Sequence, residues 1–169
     1  DAERVRIGSG GIFMSKQSWK PGNMLYPLPV VMVSAADKEG RDDIITVAWA
    51  GTVCTNPPMV SISIRPERYS YHMIRETGEF VINLTTEELA FATDYCGVKS
   101  GRDVDKFKET GLTREKAEKV KAPMIAEAPV SIECKVKEIR NLDLITCLSP
   151  RLQQFTQMKN IWMRRTGLI

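Results

Sequence analysis

The stretch DIITVAWAGTVCTNPPMVSISIRPERYSY, residues 43–71, predicts two neighbouring strands followed by a polar turn. Because successive side chains of a strand point to opposite faces, the small and hydroxylated residues of the first strand share one face. One face carries Ile44, Thr46, Ala48, Ala50 and Thr52, and the other carries Ile45, Val47, Trp49, Gly51 and Val53. A flat ligand can lie against backbone that carries such small side chains, so the stretch indicates a cofactor site.

The second strand and the turn after it complete this pattern. Pro57 and Pro58 lack the N–H that a sheet ladder needs, and they therefore end the first strand. Residues 59–64 alternate apolar side chains with serines, which predicts a half-buried strand. The turn after it carries Arg65, Arg68, Tyr69 and Ser70. Two guanidiniums with neighbouring hydroxyls suit a phosphate group.

Three motifs of the chain resemble those of the flavin reductase-like family of FMN-binding split barrels, in particular its flavoredoxin-like branch. They are TVAWAG with a later cysteine and Pro-Pro within residues 46–58, RPERYSY at 65–71, and YCG with SGRDVDKF within 95–107. The resemblance covers residues 25–141, which is most of the chain. It implies a mainly β (α+β) fold, an antiparallel split β-barrel with a few short helices, that binds FMN noncovalently as a homodimer.

The resemblance also implies which residues bind the cofactor. The implied cofactor-binding residues are Thr46, Val47, Ala48, Trp49, Thr52, Cys54, Arg65, Arg68, Tyr69, Ser70, Tyr95, Cys96, Gly97, Ser100, Gly101, Arg102 and Lys106. In this interpretation the flavin ring lies along residues 46–52, and its phosphate lies near Arg65, Arg68 and Ser70. We assign no catalytic residue and no metal ligand.

Several of these residues also have a purely structural interpretation. Residues 100–106 fit a surface turn and a capped helix whose acidic residues complement the positive N-terminal dipole. Trp49 and Tyr95 are residue types that belong to a core more often than they stack on a ligand. Cys54 fits either a small packed residue near the flavin or a redox or regulatory thiol, because a reactive thiol needs surroundings that stabilise the thiolate.

The composition bounds the class of protein. A chain of 169 residues, 43% hydrophobic and 27% charged, is typical of one globular domain. No run of about 18 apolar residues predicts a transmembrane helix, and the start does not have the pattern of a secretory signal. Four widely spaced cysteines without CxxC and a single histidine, His72, argue against zinc or iron–sulfur ligation. We therefore expect reduced thiols, a cytoplasmic location and no membrane partner.

The order of predicted elements favours an antiparallel barrel. Residues 1–13 contain Gly-Ser-Gly-Gly and are expected to be a leader or flexible arm, and the FMN-binding domain is expected in residues 14–143. Strands are predicted at 28–36, 79–84 and 130–139, and helices at 69–77, 85–95 and 103–110. Thr85 offers an N-cap hydroxyl, and Gly78 and Gly111 end helices. Strands and helices do not alternate regularly, as they do in a doubly wound sheet.

Residues 144–169 depart from the rest of the chain. They carry four basic residues and no acidic one, whereas the preceding residues carry 20 basic and 21 acidic ones. The resemblance ends here, where family members have a second long strand that closes the barrel. Pro150 and polar residues such as Arg151 and Gln153 predict that this atypical basic tail fails to form that strand. A frameshift after Asp143 is one explanation, since a shifted reading of plausible codons gives a family-like strand, and genuine divergence is another.

The motifs that the sequence does not contain narrow the chemistry. There is no GxGxxG, no GxxxxGK[ST] and no GxSxG, so a Rossmann site, a P-loop and a hydrolase elbow are not predicted. We predict an FMN-dependent oxidoreductase that passes electrons from NAD(P)H, as a transient donor, or from a protein donor to flavin, ferric iron or a redox partner. A non-enzymatic FMN carrier is the alternative. Nucleic-acid binding is not expected, because four charges in the tail are few.

Overall fold

The computed structural model describes residues 4–7, 11–14, 16–23 and 25–157. Its strands and helices, in chain order, are β1 (Arg4–Ile7), β2 (Gly11–Met14), β3 (Val31–Ala36), β4 (Asp42–Val47), β5 (Ala50–Thr55), β6 (Pro58–Ile64), α1 (Tyr69–Thr77), β7 (Glu79–Leu84), α2 (Ala90–Val98), α3 (Lys106–Thr110), β8 (Arg114–Glu115), β9 (Met124–Ile125), β10 (Val130–Leu142) and β11 (Ile145–Gln157). Seven of these strands form one antiparallel sheet in the order β4-β3-β7-β10-β11-β6-β5. The mainly antiparallel fold with a few short helices is the one that the sequence predicts.

Strand β3 organises the core because both of its faces are buried. Val33 belongs to a cluster that includes Ile74 of α1, whereas Met32 belongs to a second cluster with Cys96 of α2 and Phe107 of α3. This burial agrees with the continuous apolar run in the sequence. The helices therefore pack on opposite faces of β3, and α1 and α2 both lie against β4. That packing brings the start of α1 and residues 95–107 to β4.

The first strand of the motif is broken in the middle. It was predicted to run through residues 44–53, but β4 ends at Val47 and β5 begins at Ala50. The backbone carbonyl of Trp49 accepts a hydrogen bond from the Ser63 amide of β6. Among the strands that the structure describes, β5 pairs only with β6, at the edge of the sheet. The alternation of faces therefore does not continue from Thr46 to Thr52 as the sequence pattern suggests.

The helix ends are set mainly by local signals. α1 ends at Gly78, whose φ of 68° is left-handed, and α3 ends at Gly111, whose φ is 71°. Both stops agree with the sequence. α2 instead begins after Leu89 with no side-chain cap, four or five residues later than predicted. The Thr85 hydroxyl that was expected to cap it donates to the Val30 carbonyl.

The N-terminal region contains a short ladder that the sequence analysis did not predict. β1 and β2 pair antiparallel, with Arg4 opposite Met14 and Ile7 opposite Gly11. The segment was expected to be a leader or flexible arm. Its RVRI sequence alternates polar and apolar residues, which is the pattern of a strand.

The prediction that residues 144–169 fail to form a barrel strand is wrong for the described part, residues 144–157. β11 pairs with β10 from Ile145 to Gln157, and it also pairs with β6. Its first half buries Thr146, Leu148 and Pro150, while Arg151 and Gln153 are exposed. Arg151 and Gln153 therefore point outward, and Gln154 and Gln157 are only half-buried. No edge of β10 is left open beside residues 130–135, because β7 covers the other side.

Pro150 is accommodated by irregularities on both of its neighbours. The β10 register shifts between Val136 and Glu138, directly opposite Pro150. The pairing with β6 runs to Leu148 and resumes at Arg151, so the ladder skips Pro150. A bulge is a known site for a strand proline, because no N–H is required there. The residues of β11 in this sequence thus fit a strand. Sequencing the gene across the Asp143 codon remains the test of the frameshift hypothesis.

Candidate cofactor site

Two adjoining clefts lie where β4, the start of α1 and the end of α2 meet. The first, which we call the cationic cleft, has a volume of about 330 Å³ and is lined by Asp43, Ile45, Arg65, Glu67, Arg68, Tyr69, Ser70, Cys96, Gly97, Lys99, Ser100, Gly101, Arg102 and Lys106. The second, which we call the strand cleft, has a volume of about 240 Å³ and is lined by Ile45, Thr46, Val47, Ala48, Trp49, Ser63, Ile64, Arg65, Arg68 and Ile145. The two clefts share Ile45, Arg65 and Arg68.

Four basic side chains of the cationic cleft have no carboxylate partner among the described residues. They are Arg65, Arg68, Lys99 and Arg102. The cleft's acidic residues are Glu67 and Asp43, and Asp43 is already paired with Lys106. The start of α1 also opens here, and a helix N-terminus carries a partial positive charge. The cleft is therefore electropositive and suited to an anion.

A buried ion pair lies at the base of the cationic cleft. The Asp43 and Lys106 side chains are 2% and 3% exposed, and Lys106 Nζ lies 3.1 Å from Asp43 Oδ1. The same ammonium donates to the carbonyls of Ile44 and Cys96. The Ser70 hydroxyl donates to Asp43 Oδ2. Lys106 and Ser70, predicted to contact the flavin, therefore have their donors engaged by the protein.

Gly101 can only be a glycine in this arrangement. A Cβ atom built on it lies 2.3 Å from Asp43 Oδ1 and 2.7 Å from Tyr69 Cδ1, distances that real Cβ atoms do not adopt. Gly97 is also close-packed, with its ideal Cβ 3.3 Å from Thr46 Cβ. Both glycines let the backbone of residues 97–101 approach β4, which closes one side of the cationic cleft.

The strand cleft is lined by uncharged side chains except for Arg65 and Arg68. Its lining alternates small side chains such as Ala48 with branched apolar ones such as Ile45 and Ile64. The Thr46 hydroxyl donates to the Thr93 carbonyl, so it is already satisfied. No carboxylate, histidine or thiol lines this cleft. The surface can hold a planar group, but it offers no side chain that titrates near neutral pH.

The structure does not bring every predicted site residue to these two clefts. Thr52 and Cys54 lie on β5, beyond the break at residues 48–49, and Thr52 is exposed. Tyr95 lies on α2, where its ring packs 5.9 Å from the ring of Phe91. The other predicted residues line one of the two clefts. The broken strand explains the difference for β5, because the pattern assumed a continuous one.

Sequence reasoning missed several residues that line the clefts. Lys99 adds a fourth free cation, and its position between the YCG and SGR motifs was a signal that could have been used. Asp43 was not recognised because its partners lie far along the chain. Ile145 lines the strand cleft from β11, the segment that the sequence analysis had set aside.

Burial makes two thiols weak acids. Burial raises the pKa of Cys96 to about 11, the Lys106 charge opposes that rise, and the Asp43 charge adds to it. Burial also raises the pKa of Cys134 to about 12, with a further contribution from Glu133. Cys96 lines the cationic cleft, but as a protonated thiol it is not a nucleophile near neutral pH.

Within residues 4–7, 11–14, 16–23 and 25–157 there is no helix long and apolar enough to cross a membrane. In the same part of the chain no group of three or more His, Cys, Asp or Glu residues is placed to hold a metal ion.

Comparison with known proteins agrees with the fold. The family model described as "Flavin reductase like domain" matches residues 23–148. The chain belongs to the flavin reductase-like family. Its structure is similar to the flavoredoxin of Desulfovibrio vulgaris (Miyazaki F), with a TM-score of 0.81, 32% identity, and coverage of 86% of this chain and 78% of that one. The predicted family and the split-barrel fold are thus confirmed.

Two other similar proteins show lower structural similarity or only partial coverage. The flavoredoxin of Methanosarcina acetivorans is 27% identical with a TM-score of 0.76, and the match covers 86% of this chain and 77% of that one. An uncharacterized protein of Aeropyrum pernix is 34% identical over 117 residues, which are 69% of this chain. This chain spans 44% of the length of that family member.

Proposed function

We propose that the chain binds FMN noncovalently, with the phosphate in the cationic cleft and the flavin ring in the strand cleft. The observation that carries this proposal is the set of four basic side chains without carboxylate partners among the described residues, directly beside a cleft whose lining is uncharged except for the shared Arg65 and Arg68. An anionic group attached to a planar ring is the ligand that this combination fits. The similarity to two flavoredoxins supports the choice of a flavin.

Arg65 and Arg68 are the residues best placed to hold the phosphate next to the ring. They line both clefts, so a ligand that spans the clefts passes them. A guanidinium can donate two parallel hydrogen bonds to phosphate oxygens, and each charge-assisted bond contributes roughly 1.5–3 kcal/mol. Lys99 and Arg102 add charge that favours a dianion over a neutral ligand.

The function that follows is that of an FMN-dependent oxidoreductase of the flavin reductase or flavoredoxin type. Bound FMN supplies the electron and hydride chemistry, while the residues of the strand cleft bind and orient the ring. The donor is NAD(P)H or a protein, and the acceptor is free flavin, ferric iron or a redox partner. The strand cleft has no titratable carboxylate, histidine or thiol, and electron transfer through a bound flavin needs none.

A non-enzymatic FMN carrier is the second candidate. The absence of a carboxylate, histidine or thiol from the strand cleft's lining favours it, because a carrier only has to hold the ring. Steady-state oxidation of NAD(P)H with added flavin or ferric iron separates the two candidates. Turnover dependent on the protein supports the oxidoreductase, and its absence with both NADH and NADPH supports the carrier.

The binding proposal is tested first by the visible spectrum of the purified protein and by titration with FMN. We expect one FMN for each chain, with the flavin fluorescence or absorbance changing on binding. A protein that neither contains flavin nor binds added FMN at micromolar concentration would contradict the proposal.

We also infer that the chain acts as a homodimer. Large apolar side chains are exposed at Tyr26, Leu84, Phe91 and Val98, with Phe91 and Val98 both 69% exposed. Burying such side chains against a second copy removes apolar surface from water. Light scattering at micromolar concentration checks this, and a monomer that still carries FMN would count against it.

A further inference from the structure

We propose that Asp43 and Lys106 are positioning residues for phosphate binding, which hold the start of α1 and the turn at Gly101 in place without contacting the ligand. This inference rests on the proposed binding of FMN. It gives Lys106 and Ser70 a role other than the direct contact that the sequence predicted.

Lys106 has no donor left for a phosphate. Its ammonium has three N–H groups, and three protein partners surround it: the Asp43 carboxylate, the Ile44 carbonyl and the Cys96 carbonyl. The side chain is 3% exposed. If the ammonium left these partners, the Asp43 carboxylate would be a buried charge without a counterion, and this would lower the stability of the fold. Lys106 therefore joins β4, the end of α2 and the start of α3.

Ser70 is likewise committed to the protein. Its hydroxyl has one proton, which it donates to Asp43 Oδ2, and the residue is 1% exposed. A phosphate dianion carries only acceptors, so Ser70 has nothing to offer it while this bond persists. The bond instead fixes the first turn of α1 to β4. Arg68 is the N-cap residue directly before α1, two residues from Ser70, so this bond fixes the turn that carries it.

The turn that carries Arg102 rests on the same carboxylate. The ideal Cβ of Gly101 lies 2.3 Å from Asp43 Oδ1 and 2.5 Å from Asp43 Cγ, so the Gly101 backbone packs directly on Asp43. Arg102 follows, with its guanidinium 5.9 Å from the centre of the Tyr69 ring. Asp43 thus contacts both segments that carry the phosphate-binding cations.

The Asp43–Lys106 ion pair also affects the electrostatics of the cationic cleft. Asp43 lines the cationic cleft, and an unneutralised carboxylate there repels a phosphate. Lys106 cancels that charge from the protein side while the four basic side chains of the cleft stay available. Asp43 and Lys106 together are therefore expected to affect the phosphate of a ligand more than its ring.

The test compares FMN with riboflavin, which has the same ring and no phosphate. The ratio of the two dissociation constants isolates the phosphate contribution, and for the unaltered protein it is expected to be about 100 or more. We expect Gly101→Ala, and the charge-neutral double variant Asp43→Asn with Lys106→Met, to lower that ratio at least about tenfold. Riboflavin affinity should stay within about threefold, since the strand cleft is unchanged.

A matched glycine serves as the control. Gly51 lies on exposed β5, and nothing lies within 4 Å of its ideal Cβ. Gly51→Ala is therefore expected to keep the unaltered ratio. Thermal unfolding and circular dichroism verify that each variant is folded, and if the double variant does not fold, Gly101→Ala decides.

The outcomes separate this inference from the proposed function. Variants that keep the full ratio overturn the inference and leave FMN binding standing. Variants that lose both ligands in parallel show a general structural role and also overturn it. If the unaltered protein binds FMN no better than riboflavin, the placement of the phosphate is wrong, and this inference is wrong with it.

Discussion

In the described part of the chain, one cluster of hydrogen-bond donors binds a carboxylate of the protein itself, whereas one cluster of cations has no such partner. In the first, the fully buried Glu133 carboxylate accepts hydrogen bonds from the backbone amides of Glu118, Lys119 and Val120 at 3.1, 2.6 and 3.1 Å. In the second, the cationic cleft, four basic side chains have no carboxylate partner among the described residues. Under the proposed function, the phosphate of FMN is the anion of the cationic cleft.

The two sites also differ in what surrounds the charge. Glu133 is enclosed and contributes to stability, because its loss leaves three amides without an acceptor. The arginines of the cationic cleft are exposed, so their loss leaves nothing buried and unpaired. We therefore expect substitutions at the first site to change folding, and substitutions at the second to change binding.

The largest effect is expected for Glu133→Ala. Removing the acceptor of three amides should lower the free energy of unfolding by about 4 kcal/mol, measured by urea denaturation. FMN affinity of the folded protein should change less than about twofold. The matched control is Glu118→Ala, which removes an exposed carboxylate of the same charge and should change stability by about 0.5 kcal/mol or less. A Glu133→Ala protein as stable as this control would contradict the claim that Glu133 stabilises the fold through its three amide hydrogen bonds.

Arg68→Ala should show the reverse pattern. Losing one guanidinium at the junction of the clefts should weaken FMN binding by roughly 10- to 150-fold in a calorimetric titration. The unfolding midpoint should stay where it is, because Arg68 is exposed. Arg151→Ala removes an exposed arginine of β11 that lines neither cleft, and it should leave FMN affinity unchanged. Equal FMN affinities for the two variants would count against the proposed phosphate site.

Thiol reactivity sharpens the comparison, since each site has a buried cysteine. In the folded protein the thiol pKa is about 12 for Cys134 and about 11 for Cys96, and both values lie above the ordinary value of 9.0. At pH 8 both should react with iodoacetamide more slowly than the half-buried Cys54 and Cys147, and Cys134 about tenfold more slowly than Cys96. Peptide mass mapping over time gives the order, and a fast Cys96 would show that the cationic cleft is not packed as described.

The raised thiol pKa values also fix the sign of a pH effect. Because the folded protein holds these protons more tightly, their contribution to stability is complete below about pH 9. It is lost as the pH rises through the folded values of about 11 and about 12. Unfolding midpoints measured from pH 8 to 11 should fall with pH, and they should fall less in Cys134→Ala.

The smallest effect is expected for Glu67→Gln. Glu67 is an exposed acid of the cationic cleft, and removing its charge should strengthen FMN binding about twofold at low salt. The gain should disappear in high salt because exposed charges are screened. Weaker binding in this variant would mean that Glu67 helps to hold the ligand.

Local patterns in the sequence predicted much of this structure. The family motifs located β4, β6 and the arginine turn, and Gly78 and Gly111 marked the ends of α1 and α3 because a left-handed residue stops a helix without help from the rest of the fold. Arg65 and Arg68 could be found because both lie in one short turn that a local motif marks.

The wrong predictions concern residues whose role depends on a partner far away along the chain. Ser70 and Lys106 looked like ligands, but both bond to Asp43, which lies 27 and 63 residues away along the chain. Pro150 looked incompatible with a strand, but the shifted register of β10 removes the need for its N–H. Local sequence patterns do not predict such long-range contacts, so only the folded structure shows them.

A crystal structure of the protein with FMN tests the central claim most directly. The phosphate is predicted to accept hydrogen bonds from Arg65 or Arg68, the ring to lie against residues 46–49, and Lys106 to keep its three protein partners. An FMN phosphate bound outside the cationic cleft, or Lys106 turned away from Asp43 to contact it, would contradict this description.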